Sequence, residues 1–196
     1  LGRLDEAIAS YHRALDIKPN YAEAHSNLGV ALQDLGQLDE AVASYHKALE
    51  IKPDYAEVLS NLGNAFKELG KPEEAIASYQ EALSIKPNYA DAHSNLGTVL
   101  QGLGKLEKAI SSYRKALDIK PDFIEAGRNL LYVILNVPGL SPGKLFTEHL
   151  RFSENHTRCI PRPPEDLTND PNPNRRLRIG YLSSDFRDPP VGRNIL

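Results

Sequence analysis

The sequence predicts a mostly α-helical repeat stack that runs into the start of an α/β domain. Three observations predict it: a 34-residue recurrence over the first 123 residues, a proline-rich stretch at 161–176, and a short β-prone run at 177–182. The recurrence comes first, because a fixed period of this size defines a whole architecture. Leu1-Gly2, Leu35-Gly36, Leu69-Gly70 and Leu103-Gly104 are 34 residues apart. Pro19, Pro53, Pro87 and Pro121 keep the same interval, as do Tyr11, Tyr45, Tyr79 and Tyr113, and Ala7, Ala41, Ala75 and Ala109.

Each unit reads as two helices. Asn20, Asp54, Asn88 and Asp122 follow the prolines and are expected to cap the next helix. Glu23, Glu57 and Asp91, three residues on, come close to a capping box. The first helix then places Ala24, Leu28, Leu32 and Leu35 at helical spacing. Gly29 is expected to let the partner helix approach closely, and Gly36 to end the first helix. The second helix, from Leu38, places Ala41, Tyr45, Ala48 and Leu49 on one face, and Pro53 stops it. Neither helix buries its stripe alone, so neighbours must stack. This pattern resembles the tetratricopeptide repeat, which implies a right-handed superhelix over residues 1–136. Full units run 22–55, 56–89 and 90–123, with a partial unit at 1–21 and another at 124–136. In the last, Gly127 and Leu131 break the pattern. Its run Leu130-Leu131-Tyr132-Val133-Ile134-Leu135 is apolar nearly all round and is expected to be buried on both sides.

Composition excludes several classes. The 196 residues carry a net charge of -3 and no run of five basic residues, so nucleic acid is not an expected partner. No apolar stretch is long enough to span a membrane, and nothing resembles a signal peptide. The single cysteine, Cys159, forms no internal disulfide, which suits an intracellular, cytoplasmic setting. His149, His156 and Cys159 match no familiar zinc spacing, and no metal is expected. The chain has no methionine and opens in mid-repeat, so it is expected to be a fragment of a longer protein.

The first helices carry the candidate binding residues. Asn27, Asn61, Asn95 and Asn129 recur 34 apart, at the edge of the buried stripe and on the flank expected to face a concave groove. A primary amide both donates and accepts, so a row of them matches a peptide backbone whatever its side chains. The alternative is that each asparagine bonds the neighbouring helix and knits the stack. The flank also lacks cations. Helices 22–35 and 90–103 have no Lys or Arg, and 56–69 has only Lys67. That argues against clamping of a C-terminal carboxylate.

Beyond the repeats, Ser141-Pro142 is a good helix start. Leu145, Phe146, His149, Leu150 and Phe152 continue an amphipathic helix to about 157. With the prolines that follow, it makes a connecting segment over 137–176. Then Leu177-Arg178-Ile179-Gly180-Tyr181-Leu182 reads as a strand, with Ser183-Ser184-Asp185-Phe186 at its C-terminal end, where open α/β sheets place ligands.

Taken together, the asparagine ladder, Leu145-Phe146-Thr147-Glu148-His149, the proline-rich joint and Leu177 to Phe186 resemble the O-linked N-acetylglucosamine transferase family, including its bacterial and SPINDLY-like members. The resemblance implies that 177–196 begins a truncated, Rossmann-like glycosyltransferase domain. It also implies that the repeats recruit polypeptide substrates through Asn27, Asn61, Asn95 and Asn129. The intact protein would then move sugar from a UDP-sugar, UDP-GlcNAc, to Ser and Thr hydroxyls. Pro189 stands where the family usually has a histidine, and proline cannot shuttle a proton. The parent is altered there, or the position tolerates the loss, or the sequence carries an error. No catalytic set and no Gly-rich phosphate loop is present, so this chain alone is expected to be inactive. The other reading is a non-catalytic repeat scaffold for protein–protein interaction.

Overall fold

The computed structural model describes residues 2–137 and 141–157. The chain divides into two units, Leu1–Ile160 and Pro161–Leu196. The second unit lies outside the described residues, and with it the linker at 161–176, the strand at 177–182 and Pro189.

Within the first unit the described residues form helices α1 (Gly2–Ile17), α2 (Ala22–Asp34), α3 (Leu38–Ile51), α4 (Ala56–Glu68) and α5 (Pro72–Ile85). They continue as α6 (Ala90–Gly102), α7 (Leu106–Ile119), α8 (Ile124–Leu135) and α9 (Pro142–Thr157). Each even-numbered helix up to α6 pairs with the odd one that follows it. Successive even helices also touch one another, whereas α3, α5 and α7 do not. The even helices therefore line one side of the stack and the odd helices the other.

The even helices end by one device. Leu35 closes α2 and Gly36 follows at φ +78°. The Gly36 N–H donates to Gln33 O at 2.8 Å and the Gln37 N–H to Leu32 O at 2.9 Å. Gly70 and Gly104 repeat the turn at φ +70° and +69°. Only glycine adopts that backbone without a steric cost.

The helix starts differ from the expectation. Asn20, Asp54, Asn88 and Asp122 do not cap. The N-cap residues are Tyr21, Tyr55, Tyr89 and Phe123, and none makes a side-chain cap bond. The reason is spacing: each proline and the Asn or Asp after it form a turn, and the helix begins two residues beyond the polar one. The aromatic ring takes another role. Lys18, Lys52 and Lys86 place their ammonium groups 4.6, 4.4 and 4.6 Å from the centroids of Tyr21, Tyr55 and Tyr89. Lys120 does the same over Phe123. Such contacts contribute about 0.5–1 kcal/mol each at exposed sites.

The core follows the repeat. Ala41, Tyr45 and Ala48 are fully buried, and so are Ala75, Tyr79, Ala82, Ala109, Tyr113 and Ala116. Gly29, Gly63 and Gly97 lie directly against the rings of Tyr45, Tyr79 and Tyr113. One period later that position is Leu131. A leucine there lacks the open backbone that Gly97 presents to Tyr113, and α9 offers Thr147 where α7 has Tyr113. The regular pairing therefore stops at α8. Leu130, Val133 and Ile134 are buried, but Tyr132 and Leu135 are 61% and 60% exposed. So α8 is buried on one side only among the described residues, not on both. Ser141 caps α9 through the Lys144 N–H, and Leu145 packs on the core. Two ion pairs, Arg114–Glu148 and Arg151–Asp118, tie α9 back to α7.

Candidate functional site

The even helices bring the predicted asparagines to one side. Asn27 on α2 is exposed; Asn61 on α4, Asn95 on α6 and Asn129 on α8 are half-buried. Their hydrogen bonding divides them. Asn27 and Asn61 make no side-chain hydrogen bond among the described residues. Asn95 Nδ2 donates to Asn64 Oδ1 at 3.0 Å. Asn129 lies near the Tyr113 hydroxyl and opposes slightly the rise that burial imposes on it. Asn27 and Asn61 thus keep their amides open, whereas Asn95 spends one N–H on the neighbouring even helix.

The buried tyrosines supply a second layer that sequence reasoning did not assign. Tyr45 donates to Gln33 Oε1 at 2.9 Å, and Gln33 Nε2 donates onward to Glu68 Oε1 at 2.7 Å. Tyr79 donates to Asn64 Oδ1 at 2.6 Å. Tyr113 donates to Gln101 Oε1 at 2.9 Å and has Thr98 Oγ1 at 3.2 Å. A signal existed: a core tyrosine must find a partner for its hydroxyl. The residues three and six positions after the ladder asparagines are the ones within reach. Burial pushes the Tyr45 and Tyr79 hydroxyls well above the usual phenol range, and the Asp34 and Glu68 carboxylates add to it for Tyr45. Both stay protonated, and so remain donors, at any ordinary pH.

Charge on this side is acidic. Glu23, Glu57 and Asp91 occupy the first turns of α2, α4 and α6. Lys86 reaches Glu57 at 2.6 Å and its hydrogen bond holds that carboxyl below the usual range. Nothing on α2 or α6 supplies a cation. Among the described residues no helix is long and apolar enough to cross a membrane, and no cluster of metal-ligating side chains occurs. His149 lies on α9, and Cys159 lies outside the described residues.

Paired helices stacked side by side, with polar amides along one side, define a helical-repeat protein of the interaction class. The chain belongs to the tetratricopeptide-repeat family. Residues 1–36, 31–70 and 63–104 match the family model described as TPR repeat, and 90–123 the one described as tetratricopeptide repeat. Among solved structures, the crystal structure of MamA protein is 30% identical with a TM-score of 0.70, over 79% of this chain and 83% of that one. MamA from Desulfovibrio magneticus RS-1 shares the fold at 23% identity and TM-score 0.67, over 79% of this chain and 84% of that one. The first TPR of Spaghetti (RPAP3), bound to the HSP90 peptide SRMEEVD, is 26% identical with a TM-score of 0.58, over 59% of this chain and 91% of that one. No curated protein matches the chain.

Proposed function

We propose that the repeats are a protein-interaction arm whose even-helix groove holds an extended polypeptide by its backbone. The observation that carries this reading is the pair of uncommitted amides, Asn27 and Asn61, one repeat apart on the same side. A free primary amide matches a peptide N–H and C=O without reading the side chain. The peptide bound to the similar Spaghetti repeat supports peptide binding by this fold. That peptide is acidic, however, and the flank here carries Glu23, Glu57 and Asp91, so its ligand chemistry does not transfer.

The test is a paired measurement on the Asn27→Ala/Asn61→Ala double variant. The probe is an unstructured Ala/Ser/Thr peptide of about fifteen residues. At about 3.3 Å per residue it passes two helix pairs whose axes lie about 10 Å apart. Two lost hydrogen bonds at about 0.5–1.5 kcal/mol each weaken binding roughly tenfold. Melting stays unchanged, because neither amide bonds another residue. Unchanged affinity would remove the groove from consideration.

For the intact protein we infer the finer role of substrate arm in a protein O-linked N-acetylglucosamine transferase using UDP-GlcNAc. Its support is the sequence resemblance over 177–186, together with the ladder. A non-catalytic scaffold is the competing role, and the repeat-family match with its peptide-bound neighbour favours it. Transfer of labelled sugar from UDP-GlcNAc to Ser or Thr by the intact protein separates the two; no transfer leaves the scaffold.

A further inference from the structure

We infer that Asn64 and Asn95 form a polarised clamp for the C=O and N–H of a single residue of an extended chain, and that Tyr79 sets the polarity of the clamp. The inference rests on the groove reading above and adds to it a residue outside the recurring ladder. A carbonyl oxygen accepts along two lone pairs. Asn64 Oδ1 uses both, one for the Tyr79 hydroxyl at 2.6 Å and one for Asn95 Nδ2 at 3.0 Å. The amide cannot turn over without placing its Nδ2 against two donors. Asn64 therefore offers only N–H groups to a ligand. Asn95 is committed the other way: one N–H is spent on Asn64, and its Oδ1 has no partner among the described residues. Donor and acceptor stand on adjacent helices, α4 and α6. An extended chain crossing that point presents a C=O to Asn64 and an N–H to Asn95, and only one chain direction satisfies both.

The device is particular to this rung. The positions matching Asn64 in the flanking repeats are Val30 and Thr98. Tyr45 accordingly donates to Gln33, and Tyr113 to Gln101. The ladder asparagines recur unchanged while the second layer differs from rung to rung, so the second layer confers direction on a grip that is otherwise indifferent. Burial keeps the Tyr79 hydroxyl protonated, so the donor that locks Asn64 is present at all working pH values.

The experiment titrates the same Ala/Ser/Thr peptide into the wild type, Asn64→Asp, Tyr79→Phe and the Asn27→Ala/Asn61→Ala variant, with melting recorded for each. The carboxylate of the Asn64→Asp variant keeps one oxygen toward Tyr79 and Asn95 but turns a second oxygen, in place of the NH2 group, to the ligand. Its affinity is expected to fall roughly tenfold with melting unchanged. Tyr79→Phe keeps the ring against Gly63 and releases the amide, for a loss of about threefold. Should Asn64→Asp melt early, the wild-type Asn64 side-chain NH2 resonance decides. It shifts on peptide addition if the clamp is real, and its failure to move overturns the clamp. Affinity unchanged in Asn64→Asp but weakened in Asn27→Ala/Asn61→Ala overturns the clamp and leaves the groove standing. No peptide binding by the wild type overturns both.

Discussion

A Cβ on Gly63 would stand 2.6 Å from Cε1 of Tyr79. Gly63 sits in the middle of α4 and Tyr79 is wholly buried on α5. Real Cβ atoms do not approach so closely, so the two helices would have to part. Tyr79 also locks Asn64 from the same ring, which joins helix packing to the groove. Gly63→Ala is therefore expected to cost about 1–3 kcal/mol as an overpacked contact. Gly102, the last residue of α6, has nothing within 4 Å of its Cβ position and keeps a negative φ. Gly102→Ala should stabilise, by up to about 1 kcal/mol. Urea unfolding of the two variants side by side checks the contrast.

Leu62 neighbours that glycine and is 3% exposed, packed in the cluster that joins α2, α3 and α4. Leu62→Ala is expected to lower stability by about 2–5 kcal/mol, the cost of lost contacts plus a cavity. A change under about 1 kcal/mol would show that the site closes up on the deletion.

His93 makes stability depend on pH. It is buried on α6, with its Nε2 at 3.0 Å from Pro87 O. Burial first, and Lys115 after it, hold its pKa below the ordinary value of 6.5; the bond to Pro87 opposes this only in part. A histidine kept neutral in the fold binds fewer protons than it does unfolded. Its contribution is complete above about pH 6.5 and is lost as pH falls through the lowered folded value. Melting temperature should therefore drop between about pH 7.5 and 5. Leu59 fills the matching position one repeat earlier, at 3% exposure. His93→Leu should accordingly flatten the pH profile, and an unflattened profile would assign the effect to other groups.

Helix α9 should open before the repeats do. It is held by Leu145 on the core and by ion pairs to α7, of which Arg151–Asp118 is largely exposed. Exposed pairs contribute about 0–1 kcal/mol and weaken with salt. Hydrogen exchange is expected to be fast over 142–157, faster still in high salt, and slow through α4 to α7. Equal protection in α9 would mean that apolar packing, not charge, secures it.

The 34-residue period places the helix boundaries to within a residue or two. It also places the buried alanines and tyrosines and the glycine turns, because each follows from spacing and chain chirality within one unit. Gly29 is legible as a close-approach site for the same reason. The caps lie one residue beyond the expected positions: a proline followed by Asn matches a cap sequence, but the turn it forms takes up the polar residue. Likewise, Leu130 to Leu135 reads as buried all round because hydropathy does not show which side a neighbour covers.

What the sequence determined by itself was the repeat, its register and the side of each first helix that carries Asn27, Asn61, Asn95 and Asn129. Only the tertiary structure decided which of those amides are free. Asn95 is committed because Asn64, 31 residues away, lies 3.0 Å from it across two helices. The Tyr113 hydroxyl is taken up by Gln101 and Thr98, residues of the same first helix as Asn95. A period describes what recurs within a unit. Partners between units depend on the residues that do not recur, Val30, Asn64 and Thr98, and on the packing that brings them beside the ladder.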